Sequence, residues 1–101
     1  MPYFCVHATD KPNRGEDRLR LRPHHRARLR QHDHPVVVRI GGPLLNDSGD
    51  MMGTMLVIEA ADRAAVETYL AGDPYMIEEL FETVTITGFN WGLGQPEAAN
   101  G

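Results

Sequence analysis

The feature that most constrains this chain is the order in which its hydrophobic period changes. From Tyr3 the residues alternate, with Tyr3, Cys5 and His7 on one side and Phe4, Val6 and Ala8 on the other, which predicts a strand. The run stops at DKPNRG, whose Asp, Pro, Asn and Gly are turn formers. Between Glu16 and Gln31 the period lengthens, and Leu21, His25 and Leu29 fall four apart, as on one helix face. Pro23 either interrupts this helix or begins its regular part, because its ring removes a donor and biases Arg22 away from helical angles. PVVVRIGGPLL predicts a second strand that breaks near Gly41, and TMLVIEA a third after the polar loop NDSGDMMG.

Asp62 is placed to cap a second helix whose buried stripe is Ala65, Val66, Tyr69 and Leu70, with Gly72 at a left-handed C-terminal position. In GDPYMIEELF, Asp73 and Pro74 read as the cap and first residue of a short helix that turns Ile77, Leu80 and Phe81 inward. Val84 and Ile86 alternate with Thr83, Thr85 and Thr87 in a last strand that continues to Phe89 and Trp91. The order β-α-β-β-α-(α)-β is that of a ferredoxin-like α+β sandwich, one antiparallel sheet with its helices on a single face. The other face mixes apolar and threonine positions, and the cover it calls for is the same face of a second copy, so a homodimer is expected.

With 101 residues the chain is long enough for one domain, read as residues 1–93, and residues 94–101 read as a disordered tail. Hydrophobic residues at 42% and charged residues at 24% are ordinary for a soluble domain, and no apolar run approaches the length that spans a bilayer. The opening MPYFCVHATD lacks the flank and core of a signal peptide, so a cytoplasmic protein is expected, without a membrane partner. A single cysteine, Cys5, excludes an intramolecular disulfide and reads as a small buried hydrophobe on a strand. The net charge of −4 argues against nucleic acid as a partner. The charge is uneven, however: seven of the nine arginines lie between Arg14 and Arg30.

The two histidines of RPHHRARL separate on this periodicity. His25 shares the inward row with Leu21 and Leu29, whereas His24 lies about 100° away and faces out. A partly dry imidazole suits general base work, and it equally suits a core position satisfied by a backbone carbonyl. Asp73 also has two readings. A helix cap fully accounts for an Asp before a Pro, and beside an imidazole the same carboxylate would fix the tautomer and stabilise the charged ring. Spacing alone leaves both pairs of readings open.

Other constellations carry less. His32, Asp33 and His34 splay apart and lack a third partner at ligand spacing, so no metal is expected. Gly41, Gly42 and Pro43, with the later Gly49 and Gly53, match no phosphate-binding loop and read as hinges around a pocket mouth. Arg14, Arg18, Arg22, Arg26 and Arg30 form a row of their own, read as a solvated helix face because Glu16 and Asp17 adjoin it and no aromatic interleaves it.

Taken together, RLRLRPHHRARL, GGPLLNDSGDMMGTMLVIEA and AGDPYMIEELFETVTITGF resemble the YCII-related, YciI-like family over roughly Tyr3 to Trp91. The resemblance rests on the Arg-Pro-x-His helix opening, the Gly-Gly-Pro-Leu corner and the Asp-Pro-Tyr helix start. It implies a dimeric α+β barrel of ferredoxin-like protomers with an active site at a family histidine and aspartate. These fall on His25 and Asp73, and the resemblance favours a His25–Asp73 dyad over the structural readings. Arg26 departs from the apolar residue usual after the motif histidine, which makes the neighbouring pocket or helix face more polar.

The resemblance also implies a small lyase or isomerase without metal or organic cofactor, the best-defined relative being a dehydrochlorinase of a chlorinated hydroxyquinol. His25 would take a proton, Asp73 would orient it, Arg22 or a loop amide near Gly42 would steady an oxyanion, and Pro43 and Tyr75 would border the pocket. The alternative is a non-catalytic module that binds a small metabolite in the same pocket.

Overall fold

The computed structural model describes residues 1–96; the rest of the expected tail, 97–101, lies outside the described residues. The elements are β1 (Tyr3–Asp10), α1 (Gly15–Leu29), β2 (Val37–Leu45), β3 (Met51–Glu59), α2 (Arg63–Ala71), α3 (Pro74–Ile77) and β4 (Phe81–Phe89). The strands form one sheet in the order β2-β3-β1-β4, and every neighbouring pair is antiparallel. Val6 of β1 stands between Leu56 and Ile86, so the even-numbered side of β1 shares a face with both neighbours. That face packs Val6, Leu56, Ile58 and Ile86 against Val66, Tyr69 and Leu70 of α2. Each such aliphatic side chain contributes about 1.5–3 kcal/mol by leaving water. This is the ferredoxin-like α+β sandwich, with its helices on one side of the sheet. Among the described residues no helix is long and apolar enough to cross a membrane.

α2 begins as its sequence predicts, with the Asp62 carboxylate accepting the Ala65 amide. Four local readings are corrected. β2 does not break near Gly41: Gly41, Gly42 and Pro43 pair with Leu56, Met55 and Thr54 inside the strand. β2 is an edge strand, where a proline withholds no ladder bond that a neighbour needs. Gly72 is not left-handed but has φ −92°, and the Arg28 guanidinium occupies the space a Cβ would take. Ile77 is exposed, because α3 ends at that residue and Glu79 turns through φ 55°, so that Tyr75 and Leu80 fill the interior instead. Cys5 lies on the sheet face away from the helices and is only half-buried.

The later glycines are not hinges of one kind. Gly49 has φ 86° in the β2–β3 turn, where Asn46 Oδ1 accepts the Ser48 and Asp50 amides. Gly53 lies within β3, where a Cβ would collide with the Ala8 carbonyl oxygen, so the β1–β3 approach requires glycine there. Trp91 lies just past β4 and folds back edge-on to Tyr3 and Phe89.

α1 is seated differently from α2. Its buried residues are Arg18, Leu21 and His25, so only one of the three is apolar. A helix held to a sheet by long polar side chains leaves its layer incompletely filled. The consequence is a cleft between α1 and the β2 edge.

Candidate active site

Arg18 overturns the reading of a wholly solvated arginine row. It is 2% exposed and gives two hydrogen bonds to the Asp10 carboxylate, at 2.6 and 2.9 Å, and a third to Thr54 Oγ1 at 2.8 Å. A buried guanidinium is tolerated only with such geometry, because both charges have left water. Nothing local announces this, since Asp10 ends β1 and Thr54 belongs to β3. From this anchor the Arg18 guanidinium stands 4.6 Å over the Tyr75 ring, and Nη1 donates to the phenol oxygen at 3.4 Å. Burial pushes the Tyr75 phenol above its usual range, with the Arg18 charge partly opposing it. The phenol therefore stays neutral and keeps its proton to donate.

His25 stacks on Tyr75, with ring centroids 4.1 Å apart and 22° between planes. Its Nδ1 is 2.7 Å from Asp73 Oδ2, and both side chains are buried. The other Asp73 oxygen, Oδ1, accepts the Tyr75 amide at 2.9 Å. One carboxylate thus caps α3 and holds the imidazole, so the two readings of Asp73 are not alternatives. A carboxylate only accepts, which places the Nδ1 proton between the two groups and leaves Nε2 with its lone pair in the neutral ring. Among the described residues Nε2 has no hydrogen-bond partner, and it is not a sealed, unpartnered buried atom.

The His25 ring lines a cleft of about 160 Å³. Tyr75 and Thr54 close its inner end, the β2 residues Gly41, Gly42 and Pro43 form one wall, and Arg22, Arg26, Leu29 and Arg30 form the other. Of the six residues singled out from sequence, five reach this cleft and Asp73 stands directly behind His25. Gly42 contributes strand backbone rather than a loop amide. The reading missed Arg18, Arg26, Arg30 and Thr54. The signal for Arg26 and Arg30 was present, because a row only a quarter turn from the inward row borders the same groove. His24 is exposed, and His34 packs edge-on against Tyr69, 5.1 Å between centroids, away from the cleft.

The model of the YCII-related domain family matches residues 1–90. Protein YciI of Escherichia coli and the protein of the same name in Shigella flexneri are each 29% identical over 92 residues, spanning 85% of this chain and 94% of theirs. Among solved structures, 5-chloro-2-hydroxyhydroquinone dehydrochlorinase from Burkholderia phenoliruptrix, in complex with 2,5-dihydroxybenzoquinone, superposes with a TM-score of 0.74 at 26% identity. That match covers 91% of this chain and 95% of the dehydrochlorinase chain. An uncharacterized NIPSNAP domain protein from Burkholderia xenovorans shares the fold at a TM-score of 0.55 and 15% identity, covering 96% of this chain and all of its own. A family model that runs from the first residue to the end of β4 decides the matter: the chain belongs to the YCII-related domain family.

Proposed function

We propose that this protein is a small cofactor-independent lyase or isomerase, acting on a hydroxylated aromatic or quinonoid substrate with dehydrochlorinase-like chemistry. The observation that carries the reading is the buried Asp73 carboxylate on His25 Nδ1, which leaves Nε2 free toward the cleft. Likeness to a dehydrochlorinase with a bound dihydroxyquinone supports the substrate class.

The chemistry needs only proton movement. Nε2 takes the proton of a ring hydroxyl, and the imidazolium is steadied by Asp73. The same proton returns to the ring carbon that bears chlorine, which becomes tetrahedral. A second hydroxyl then gives its proton to Nε2, which is free again, as the electron pair moves through the ring and chloride leaves, and the imidazolium releases that proton to water. The net change is loss of HCl, with no oxidant. A base so placed contributes about 10²- to 10⁴-fold. Arg22 balances the phenolate charge, and the Tyr75 phenol donates to a ring oxygen. A second copy covers the open sheet face, where the Tyr3, Phe89 and Trp91 cluster lies, giving a homodimer.

The test is chloride release from 5-chloro-2-hydroxyhydroquinone by the wild type and His25→Gln, with binding of 2,5-dihydroxybenzoquinone followed in both. Turnover lost with binding retained is the expected result. Binding without turnover in either protein would instead make this a ligand-binding module.

A further inference from the structure

We infer that Arg22, Arg26 and Arg30 form an anion track that takes a second, permanently ionised oxygen group of the substrate, a carboxylate or a phosphoryl group. This rests on the His25 cleft as the ligand site and specifies what else the ligand carries.

The seven arginines near α1 do not share one fate. Arg14 and Arg20 pair with Asp17, and Arg18 pairs with Asp10. Arg22, Arg26 and Arg30 make no ion pair among the described residues, and the one side-chain hydrogen bond of this trio among them runs from Arg30 to the Arg26 carbonyl. All three nevertheless line the His25 cleft, and all three also line the shallower groove beside it with Leu19 and Pro23. Like charges four apart on a helix repel. A position near the helix C-terminus favours Arg26 and Arg28, but it does not explain the mid-helix Arg22 or the placement of all three on the cleft wall. Unpaired guanidiniums around a concavity fit oxyanions, which they bind through two parallel hydrogen bonds.

Size and spacing limit the ligand. A cavity of about 150 Å³ holds a single benzene ring, so this cleft admits one ring beside His25 and Tyr75. The row repeats about every 6 Å along the helix axis, comparable to the width of that ring. A ring whose hydroxyl meets Nε2 therefore directs a substituent on its far side toward Arg26 and Arg30. The net charge of −4 and the acidic neighbours Glu16 and Asp17 disfavour a polyanion such as nucleic acid on the same wall.

The probes are 4-hydroxybenzoate, its neutral isostere 4-hydroxybenzamide, 4-hydroxyphenyl phosphate and inorganic phosphate, bound to the full chain and followed by calorimetry. The benzoate or the phosphate ester is expected to bind about tenfold to a hundredfold tighter than the amide, and to lose that margin as salt is raised. Which acid prevails decides between carboxylate and phosphoryl. Arg26→Gln with Arg30→Gln should erase the margin while amide affinity and circular dichroism stay unchanged. Equal affinity of acids and amide, an unaltered margin in the double variant, or no binding of any acid overturns the track. Retention of the margin in His25→Gln separates this inference from the catalytic reading, which fails on turnover alone.

Discussion

Replacing Asp73 with asparagine separates its two duties. The amide oxygen can still accept the Tyr75 amide that Oδ1 accepts now, so the α3 cap survives. The amide nitrogen then faces His25 Nδ1, which Oδ2 holds at 2.7 Å, and two donors meet unless the imidazole moves its proton to Nε2. A charge-assisted hydrogen bond contributes about 1.5–3 kcal/mol and a neutral one about 0.5–1.5, so the exchange should destabilise the fold by about 1–2 kcal/mol. For a domain of this size that is a fall in Tm of about 4–16 °C. Asp73→Ala loses the cap as well, about 1 kcal/mol more, and strands a buried imidazole donor at a further 1–3 kcal/mol or so. Denaturant unfolding orders the variants, and long-range proton–nitrogen NMR reads the tautomer directly. Wild type should carry the proton on Nδ1 and Asp73→Asn on Nε2, with proton-abstraction activity lost although the fold remains. An unchanged tautomer with unchanged stability would refute the coupling between the two residues.

Other perturbations test the frame around the site. Arg18→Met should cost about 3–5 kcal/mol by stranding the Asp10 carboxylate, and the double change Arg18→Met with Asp10→Leu should recover much of it in a double-mutant cycle. Gly53→Ala should destabilise by about 1–3 kcal/mol, since the Ala8 carbonyl cannot yield, whereas Gly41→Ala meets only the end of the Leu56 side chain and should be milder in thermal melts. Burial holds the Tyr69 and Tyr75 phenols above their ordinary range. The unfolded chain therefore ionises first. Their contribution is complete below about pH 10 and falls as pH rises toward the raised native values, and Tyr75→Phe should flatten that alkaline decline in denaturant midpoints.

Much of this site is legible in the sequence for reasons that stay local. His25 sits on the row of Leu21 and Leu29, and the row decides which of two adjacent histidines turns inward. Asp73 before Pro74 announces a helix start. That the two meet is not local, because 48 residues separate them and only the docking of α1 on α3 closes the distance. The same limit hid Arg18, whose partners are supplied by β1 and β3. Gly41 to Pro43 misled in the opposite direction. Their turn chemistry is strong, but an edge position in a sheet tolerates it, and edge position is a property of the whole topology. Ile77 followed a helical stripe through a helix too short to sustain one.

Catalysis at this site requires His25 Nε2 to meet the ligand while Nδ1 remains with Asp73. The direct measurement is the pair of His25 ring nitrogen shifts, assigned with His25→Gln, during titration with 2,5-dihydroxybenzoquinone. The expected result is a saturable shift at Nε2 with the Nδ1 proton kept in its bond to Asp73. Saturable binding that leaves both His25 nitrogens unmoved would place the ligand elsewhere and contradict it.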